Sequence, residues 1–495
     1  MPHVISIDIG STYTKGAVFG WQEGDKAFRL AARAVVPTTV NYLPDGYRQV
    51  MASLEELCRR SGEPFSETEA SFADIPVYFS SSAKGGLNIA ALGIVPALTL
   101  KAAKLTALSA GGRIDRVYAY KLTRRDVAAL EANPPDIILL AGGTEGGNEV
   151  YVRHNGKMLS KSSVLAQRSV LVYAGNSVMA EEIEEMFAAK GFEVHIADNI
   201  MPEVDRTDTV KAREIIRSIF LDRIVKGRGL DTVVKEIGHN PNPTPYAVLR
   251  LVEAIYLKRP EMGEFMLIDM GGATTDVYSC CQPVKSIENV MFRGLPEPEV
   301  KRTVEGDLGM RVSALSTFKA APYLAEIPGM AEFVEKVDRD TSHIGVSETE
   351  KSYDLALAGA CSGEALRRHA GKLRRVFTAV GEAFVQEGKD LREIRTVIGS
   401  GGFLSRLHNF QIPDILKRGN TADNFLLVPE RFRYARDKDY IFPLLGNLAD
   451  NYPLLAVQTA LDGLEYSENE TVIPGVENIG RSSSRSGASC SCRDV

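Results

Sequence analysis

The chain has 495 residues, 44% apolar and 25% charged, with a formal net charge of -6 at pH 7. That length suits two to four domains at roughly 150 residues each, and the apolar share suits an ordinary buried core. The small negative balance excludes a nucleic-acid binder that depends on a basic surface.

Met1 leads almost at once into Val4–Ile9, an apolar strand signal, with no basic-then-apolar secretory leader. The longest apolar run, about Ile89–Leu100, contains Pro96 and is too short to span a membrane. Further strand signals are Ile137–Leu140, Val170–Ala174, Phe265–Asp269 and Thr396–Ile398. Helical periodicity appears in Val178–Lys190, Pro245–Leu257, Glu364–Glu387 and Leu448–Leu461. Together they predict an α/β fold. Glycine and proline clusters at Gly227–Gly229 and Gly238–Pro245 mark a boundary near the middle. The six cysteines (Cys58, Cys280, Cys281, Cys361, Cys490, Cys492) lack zinc spacing and are too sparse for a disulfide scaffold, so a reducing cytoplasm is expected. The seven histidines show no metal-ligand spacing. The Ser/Arg/Gly-rich tail from Gly480 should be disordered, with no role assigned to its Cys-Ser-Cys pair.

Internal repetition carries more information. Ile7–Lys15 lies over Ile268–Asp276 without a gap, setting Asp8 on Asp269, Gly10 on Gly271 and Thr14 on Thr275. A second pair, Ile137–Gly143 and Thr396–Gly402, has two apolar strands ending in a glycine pair. The separations are 134 positions from Asp8 to Gly142 and 132 from Asp269 to Gly401.

Each hairpin has an apolar strand, an aspartate, a glycine turn and a threonine-bearing second strand. Glycines let backbone approach a ligand closely, and turn N–H groups form a nest for anions. Aspartates repel phosphate but hold a hydrated divalent cation that bridges to it. The turn "GSGG" (Gly399–Gly402), with a helix expected from about Phe403, leaves a flat surface for a base or ribose, and taken alone it reads equally as a tight strand-to-helix turn with no ligand. For Lys15 a phosphate contact and a plain solvent-facing lysine are both open, and likewise for Lys84. Glu145 stands in a glycine-rich loop that is more often simply solvated. Arg367–Arg375 reads as the wet face of a helix.

"DIGSTYTK", "DMGGATTD" and "GSGG", in this order, resemble the phosphate-1, phosphate-2 and adenosine motifs of the actin-like ATPase superfamily. That group includes actin, sugar kinases, acetate kinases and the large heat-shock chaperones. The resemblance implies two ribonuclease-H-like lobes with a nucleotide in the cleft. "SSSAKGGLNIAALGIVPALTLKAAKLTALSAGG" (Ser80–Gly112), "ILLAGGTEGGNE" (Ile138–Glu149), "VYAGNS" (Val172–Ser177) and "LIDMGGATTDVYS" (Leu267–Ser279) narrow it. Over roughly Val4–Leu461 the chain is similar to the MutL/GlmL family, encoded with adenosylcobalamin-dependent glutamate mutase and related aminomutases. The mismatch-repair protein of the same name is unrelated.

The resemblance implies ATP and Mg²⁺ as cofactors and an adenosylcobalamin-dependent aminomutase as partner, with neither nucleic acid nor membrane. It puts Asp8 and Asp269 at the metal. Gly10, Ser11, Thr12, Thr14, Lys15, Gly271, Gly272, Thr274 and Thr275 fall around the phosphates, and Gly399, Gly401 and Gly402 at adenosine. Asp269 and Asp276 are the candidate catalytic groups, with Asp269 preferred and Glu145 ranked last. The expected layout is a first lobe at 1–205, a second at 206–445, a helix returning to the first lobe at 446–470 and a tail at 471–495. The function expected is an ATP-hydrolysing reactivase or chaperone-like accessory protein. A small-molecule kinase, or a nucleotide-binding scaffold with little hydrolysis, stays open.

Overall fold

A computed structural model describes residues 2–39, 41–62, 71–82, 87–204, 206–225, 229–282, 290–379, 381–408, 410 and 424–472. Residues 473–495 of the expected tail and Lys84 lie outside the described residues, while 471 and 472 belong to a strand.

The chain opens with β1 (His3–Ile9), β2 (Tyr13–Gly20), β3 (Arg29–Pro37) and β4 (Val77–Ser81). β1 is buried along its whole length, because packed layers cover both of its faces. Next come β5 (Asn88–Gly93), β6 (Arg113–Ala119), β7 (Ile137–Leu140), β8 (Val170–Tyr173) and β9 (Glu193–Ile196), then the short β10 (Asn242–Pro243). The remaining strands are β11 (Phe265–Met270), β12 (Thr275–Cys280), β13 (Val290–Arg293), β14 (Val300–Glu305), β15 (Lys372–Thr378), β16 (Gly381–Glu387), β17 (Thr396–Ser400), β18 (Asn424–Leu426), β19 (Arg431–Asp437) and β20 (Leu464–Val472).

Two of the sheets are copies of one plan. The first has the order β3-β2-β1-β4-β10 and the second β14-β12-β11-β17-β19, extended by β20. In both, the first three strands run antiparallel and the next two join in parallel. This is the ribonuclease-H-like lobe, present twice. The duplication expected from the hairpins is therefore present, but the second sequence pair is not part of it. The strand equivalent to β17 is β4, which lies beside β1 as β17 lies beside β11. Ile137–Leu140 belongs to another sheet altogether.

That other sheet is wholly parallel, in the order β6-β5-β7-β8-β9, and is inserted between β4 and β10. Its own core is built from residues such as Ile138, Leu171, Ile183 and Phe187. The helices Val210–Val225 and Leu230–Ile237 follow it and pack, through Ile216, Phe220 and Val233, into a core that the inserted sheet shares with the first lobe. The division expected at 205/206 thus does not follow the packing. The chain leaves the first lobe at Pro243, inside the Gly/Pro-rich boundary signal.

The helices Thr244–Lys258, Phe442–Leu448 and Pro453–Asp462 lie between the two lobes. Their core combines Val4, Ala17 and Phe19 of the first sheet with Phe265, Leu267 and Ile398 of the second. Gly446 permits the crossing: a Cβ there would stand 2.4 Å from the Ala247 carbonyl oxygen. Ser6 donates to the Leu444 carbonyl at 2.7 Å, and Asn447 donates to the Ile7 carbonyl at 2.9 Å, fixing this layer to β1. Beyond it the chain does not stay helical to 470, because β20 rejoins the second sheet against β19.

One helical expectation is overturned. Glu364–Glu387 is helical only to His369, the end of Glu348–His369; β15 and β16 follow as a hairpin. His369 is fixed between the Ser279 and Thr303 hydroxyls, at 2.7 Å from each. Gly371 then packs on the Gly388 backbone, with room for a Cβ at neither residue. The basic run accordingly divides between a helix end (Arg367, Arg368) and a strand (Lys372, Arg374, Arg375).

Candidate nucleotide and metal site

Each repeated hairpin closes with the same bond. The Gly10 N–H donates to the Tyr13 carbonyl at 3.0 Å, and the Gly271 N–H donates to the Thr274 carbonyl at 2.8 Å. Gly10 is required there, since a Cβ would meet the Tyr13 oxygen at 2.7 Å. The two turns face each other: a Cβ on Gly272 would come within 3.7 Å of the Thr12 hydroxyl. Ser11 and Thr12 are exposed, and Gly271, Gly272 and Thr274 are half-buried. Backbone and hydroxyl donors from both lobes thus line one gap.

Period-two alternation decides which side chains look into that gap. Asp8 stands across from Lys15 and Asp269 across from Asp276. Thr14 and Thr275 alternate with these residues and turn away. The Thr14 hydroxyl contacts that of Thr38 at 3.1 Å, and the Thr275 hydroxyl donates to the Leu308 carbonyl at 2.9 Å. Both therefore brace their hairpins from behind, which differs from the phosphate-facing position expected.

At the base of the gap Asp8 is fully engaged. It accepts from the Lys15 ammonium at 2.7 Å, the Thr244 hydroxyl at 2.6 Å and the Ser80 hydroxyl at 3.1 Å. Lys15 is buried, with its ammonium 4.0 Å above the Tyr440 ring, so it is not the solvent-facing lysine considered above. Burial works against its charge, but Asp8 and Tyr440 more than offset this and hold it above the usual lysine range. Tyr440 itself takes a left-handed φ of 48°, a strained conformation for a bulky residue.

The second lobe contributes carboxylates with less compensation. Burial pushes the Asp269 carboxyl up to about 7, the Asp276 charge adds to this, and Lys15 opposes it. Among the described residues no donor to the Asp269 carboxylate is recorded. Asp276 is also raised by burial, against the pull of Arg302, whose Nη2 and Nε lie 2.6 and 2.8 Å from Oδ1. The same guanidinium donates through Nη1 to the Leu108 carbonyl at 2.5 Å, on the inserted domain. Asp437 accepts from the Ser400 hydroxyl and from the Ile441 and Phe442 N–H groups, yet burial still lifts it to about 6.

This donor set fits a hard divalent cation held by one or two carboxylates together with phosphate oxygens and water. Asp269 meets that need, being acidic, crowded by like charge and without a donor. Asp8 does not meet it while Lys15 neutralises it. Among the described residues no group of three or more His, Cys, Asp and Glu side chains stands in metal-holding geometry.

The three turn glycines differ in kind. A Cβ on Gly399 would lie 2.0 Å from the Tyr434 hydroxyl, and one on Gly401, at φ 98°, 2.1 Å from the Met270 carbonyl oxygen. Packing requires both. Gly402 has open space where its Cβ would stand. Where a helix is expected from about Phe403, the residues described directly after the turn form a 3-10 turn, Leu404–Arg406. Glu145 belongs to the inserted domain and is bound to Ser177 and Asn199. Arg302, Thr244, Asp437 and Tyr440 escape sequence reasoning, because none lies in a hairpin or turn motif and even Arg302 is 26 positions from Asp276, while Thr244 is seen only as part of a boundary signal. Ser80 sits in a quoted run but is indistinguishable there from its neighbours.

Two ribonuclease-H-like lobes, matched turns across a cleft and acidic groups at its base define a protein of the actin-like ATPase fold. The MutL protein family matches residues 4–464. The Protein MutL of Clostridium tetanomorphum is 37% identical over 473 residues, covering 92% of this chain and 98% of that one. The chain belongs to the MutL family. Among solved structures, a nucleotide-free acetone carboxylase aligns over 90% of this chain and 70% of its own, at 13% identity and a TM-score of 0.38. A nucleotide-free diol dehydratase-reactivating factor aligns over 93% and 99%, at 10% identity and 0.32. A xylulose kinase from Lactobacillus acidophilus aligns over 95% and 94%, at 11% and 0.30. These are remote likenesses.

Proposed function

We propose that this chain is an ATP-binding and ATP-hydrolysing accessory protein, a reactivase or chaperone-like partner of an adenosylcobalamin-dependent aminomutase of the glutamate mutase type. The observation that carries the nucleotide half is the pair of matched turns closing on each other above Asp8, Asp269 and Asp276. Bound MgATP supplies a phosphoanhydride whose cleavage can drive a conformational cycle.

The chain's own groups divide the work. Backbone N–H groups of the two turns, with the Ser11, Thr12 and Thr274 hydroxyls, bind phosphate oxygens. Asp269 takes the metal. Asp8, which Lys15 neutralises here, would join it if the Lys15 ammonium turned to phosphate instead. Asp276, held by Arg302, fixes the attacking water, with Asp269 the first candidate to accept its proton. The open face at Gly402 leaves room for adenosine, while Gly399 and Gly401 hold the turn beneath it.

Family membership motivates the partner half, and the lobes supply its physics. A ligand that binds the closed arrangement more tightly shifts the population toward it, and cleavage releases that bias. A surface gripping the mutase in one state alone would then be coupled to turnover. The test is to incubate inactivated glutamate mutase with the protein and MgATP, then assay mutase activity and phosphate release. Recovery with wild type and none with Asp269→Asn is expected. Phosphate release without any recovery would sink the reactivase reading while leaving the ATPase.

A further inference from the structure

The inserted sheet has the order β6-β5-β7-β8-β9, with β5 first in sequence, so it is a doubly wound 2-1-3-4-5 sheet. Sheets of this order bind outside the carboxyl ends of their strands, at the point where the strand order reverses. Here that point lies between β5 and β7, and it is filled. The segment Pro96–Leu100 packs on the end of β5 so closely that a Cβ on Gly93 would stand 2.3 Å from the Leu100 nitrogen. A Cβ on Gly142 would meet Ile94 and Val152, each at 3.0 Å. Ser177 and Asn199 both donate to Glu145, across the ends of β7, β8 and β9. The surface is closed to a small molecule and offers a face to a large one.

That face is patterned. The segment after each strand carries one exposed large apolar side chain: Tyr120 and Val95 just past β6 and β5, Val150 at the start of the helix Val150–Leu159 after β7, Val178 in the 3-10 turn Ser177–Met179 after β8, and Val204 beyond β9. They are between 39% and 61% exposed. The five strand ends they follow are spaced about 4.8 Å apart, so at the level of the strands the row is roughly 19 Å long. Tyr120 is held in it at φ 63°, with its N–H on the Ile94 carbonyl and its carbonyl on the Asn155 amide. A strained residue so fixed, with its ring left in water, fits a contact not yet made.

Charge flanks the row asymmetrically. Lys121, Arg124 and Arg125 are exposed at the β6 end, and Glu181 and Asp198 toward the β9 end. Glu203 is matched within its own loop by Arg206 at 3.5 Å and does not count. A row basic at one end, acidic at the other and apolar between is complementary to itself in reverse. About a two-fold axis at the central strand, Val150 meets its own copy, Val95 meets Val178, and Tyr120 meets Val204. The basic end then lies over the acidic end at both sides, as an isologous interface requires.

We propose that the carboxyl end of the inserted parallel sheet is a two-fold interface between two copies of this chain. Its test does not involve nucleotide or mutase. Sedimentation velocity of the full-length protein from about 1 to 100 µM should show a species of twice the chain mass. Val150→Asp and Val178→Asp should each weaken dimerisation by at least about tenfold, since they bury an unpaired charge in the centre. Both sites are exposed, so circular dichroism and melting temperature should stay unchanged. Arg125→Glu should weaken the dimer and Glu181→Arg likewise, while the double reversal in one chain restores it. A single-chain mass at every concentration overturns the proposal, as does a dimer indifferent to Val178→Asp and to the charge reversals. A monomer whose Val178→Asp variant instead loses affinity for purified glutamate mutase would assign the face to that partner and equally overturn it.

Discussion

Asp269 joins stability and function in one side chain. Its carboxyl sits at about 7 in the folded protein against an ordinary 3.8, with burial the main cause and Asp276 the next. A carboxylate raised on folding destabilises the native state increasingly as pH climbs from its unfolded to its folded value. The ligand-free protein should thus lose stability between about pH 4 and pH 7 through this group, and Asp437, raised to about 6, adds in the same direction. Asp269→Asn should stabilise the nucleotide-free protein at pH 8 by on the order of 1–3 kcal/mol, seen as a higher melting temperature, and weaken MgATP binding at least tenfold. Calorimetry with and without MgATP reads both, and a variant that is destabilised yet binds normally removes Asp269 from the metal. Wild-type affinity for MgATP should also rise from pH 6 to pH 8, as the proton leaves the metal ligand. Lys15→Met takes the opposite course. It strands Asp8 in the interior with two hydroxyl donors and no cation. Denaturant unfolding should show a loss of about 3–5 kcal/mol, much of it recovered by adding Asp8→Asn.

At the scale of elements, the turn after β17 separates packing from ligand contact. Gly401→Ala puts a methyl into the Met270 carbonyl at a left-handed φ, so it should destabilise by roughly 2 kcal/mol or more. Gly402→Ala meets nothing in the structure, and folding stability should stay within about 0.5 kcal/mol. If the base lies over this turn, Gly402→Ala lowers ATP affinity all the same, and titration of the stable variant checks it. The hairpins also show how far a repeat can be read from sequence. Asp8 over Asp269 and Gly10 over Gly271 is a true equivalence, because the turns need those residues for geometry and charge. Ile137–Gly143 over Thr396–Gly402 is not, because a buried parallel strand ending in glycine arises wherever a sheet feeds a tight turn. The true counterpart of β17, Val77–Ser81, ends in serines, and its glycine pair comes only at Gly85 and Gly86, too late to match the turn after β17.

Across the whole molecule, the inserted domain shares a core with the first lobe and is also fastened to the second. Lys101 reaches Glu297 at 2.8 Å and donates to the Leu295 carbonyl at 2.6 Å, and Arg302 spans from Asp276 to Leu108. A change at the second hairpin is thus one guanidinium away from the helix Lys101–Ser109. Arg302→Lys keeps the charge but lacks the fork that reaches both partners at once. Amide exchange over 102–112 should quicken in that variant, and any protection that MgATP gives this segment should shrink. Unchanged exchange would show that the insert is held by other contacts.

The sequence alone determined the α/β class, the duplicated hairpins with their aspartates and glycines, and the family. Those features are local: a strand, a turn and an acid are specified by neighbours a few positions apart, and period-two alternation or a glycine pair is visible in the letters. It left undecided which hairpin residues face the gap, since Thr14 and Thr275 look as suitable as Thr12 and Thr274 until the strands are paired. It could not separate the inserted sheet from the lobe around it, because both are written in the same buried-strand vocabulary. Nor could it deliver Lys15 to Asp8 and Tyr440, Arg302 to Asp276, or Thr244 to Asp8. These pairings join groups as much as 425 positions apart, and burial makes them decisive: away from water, each charge must find a partner wherever the fold brings one.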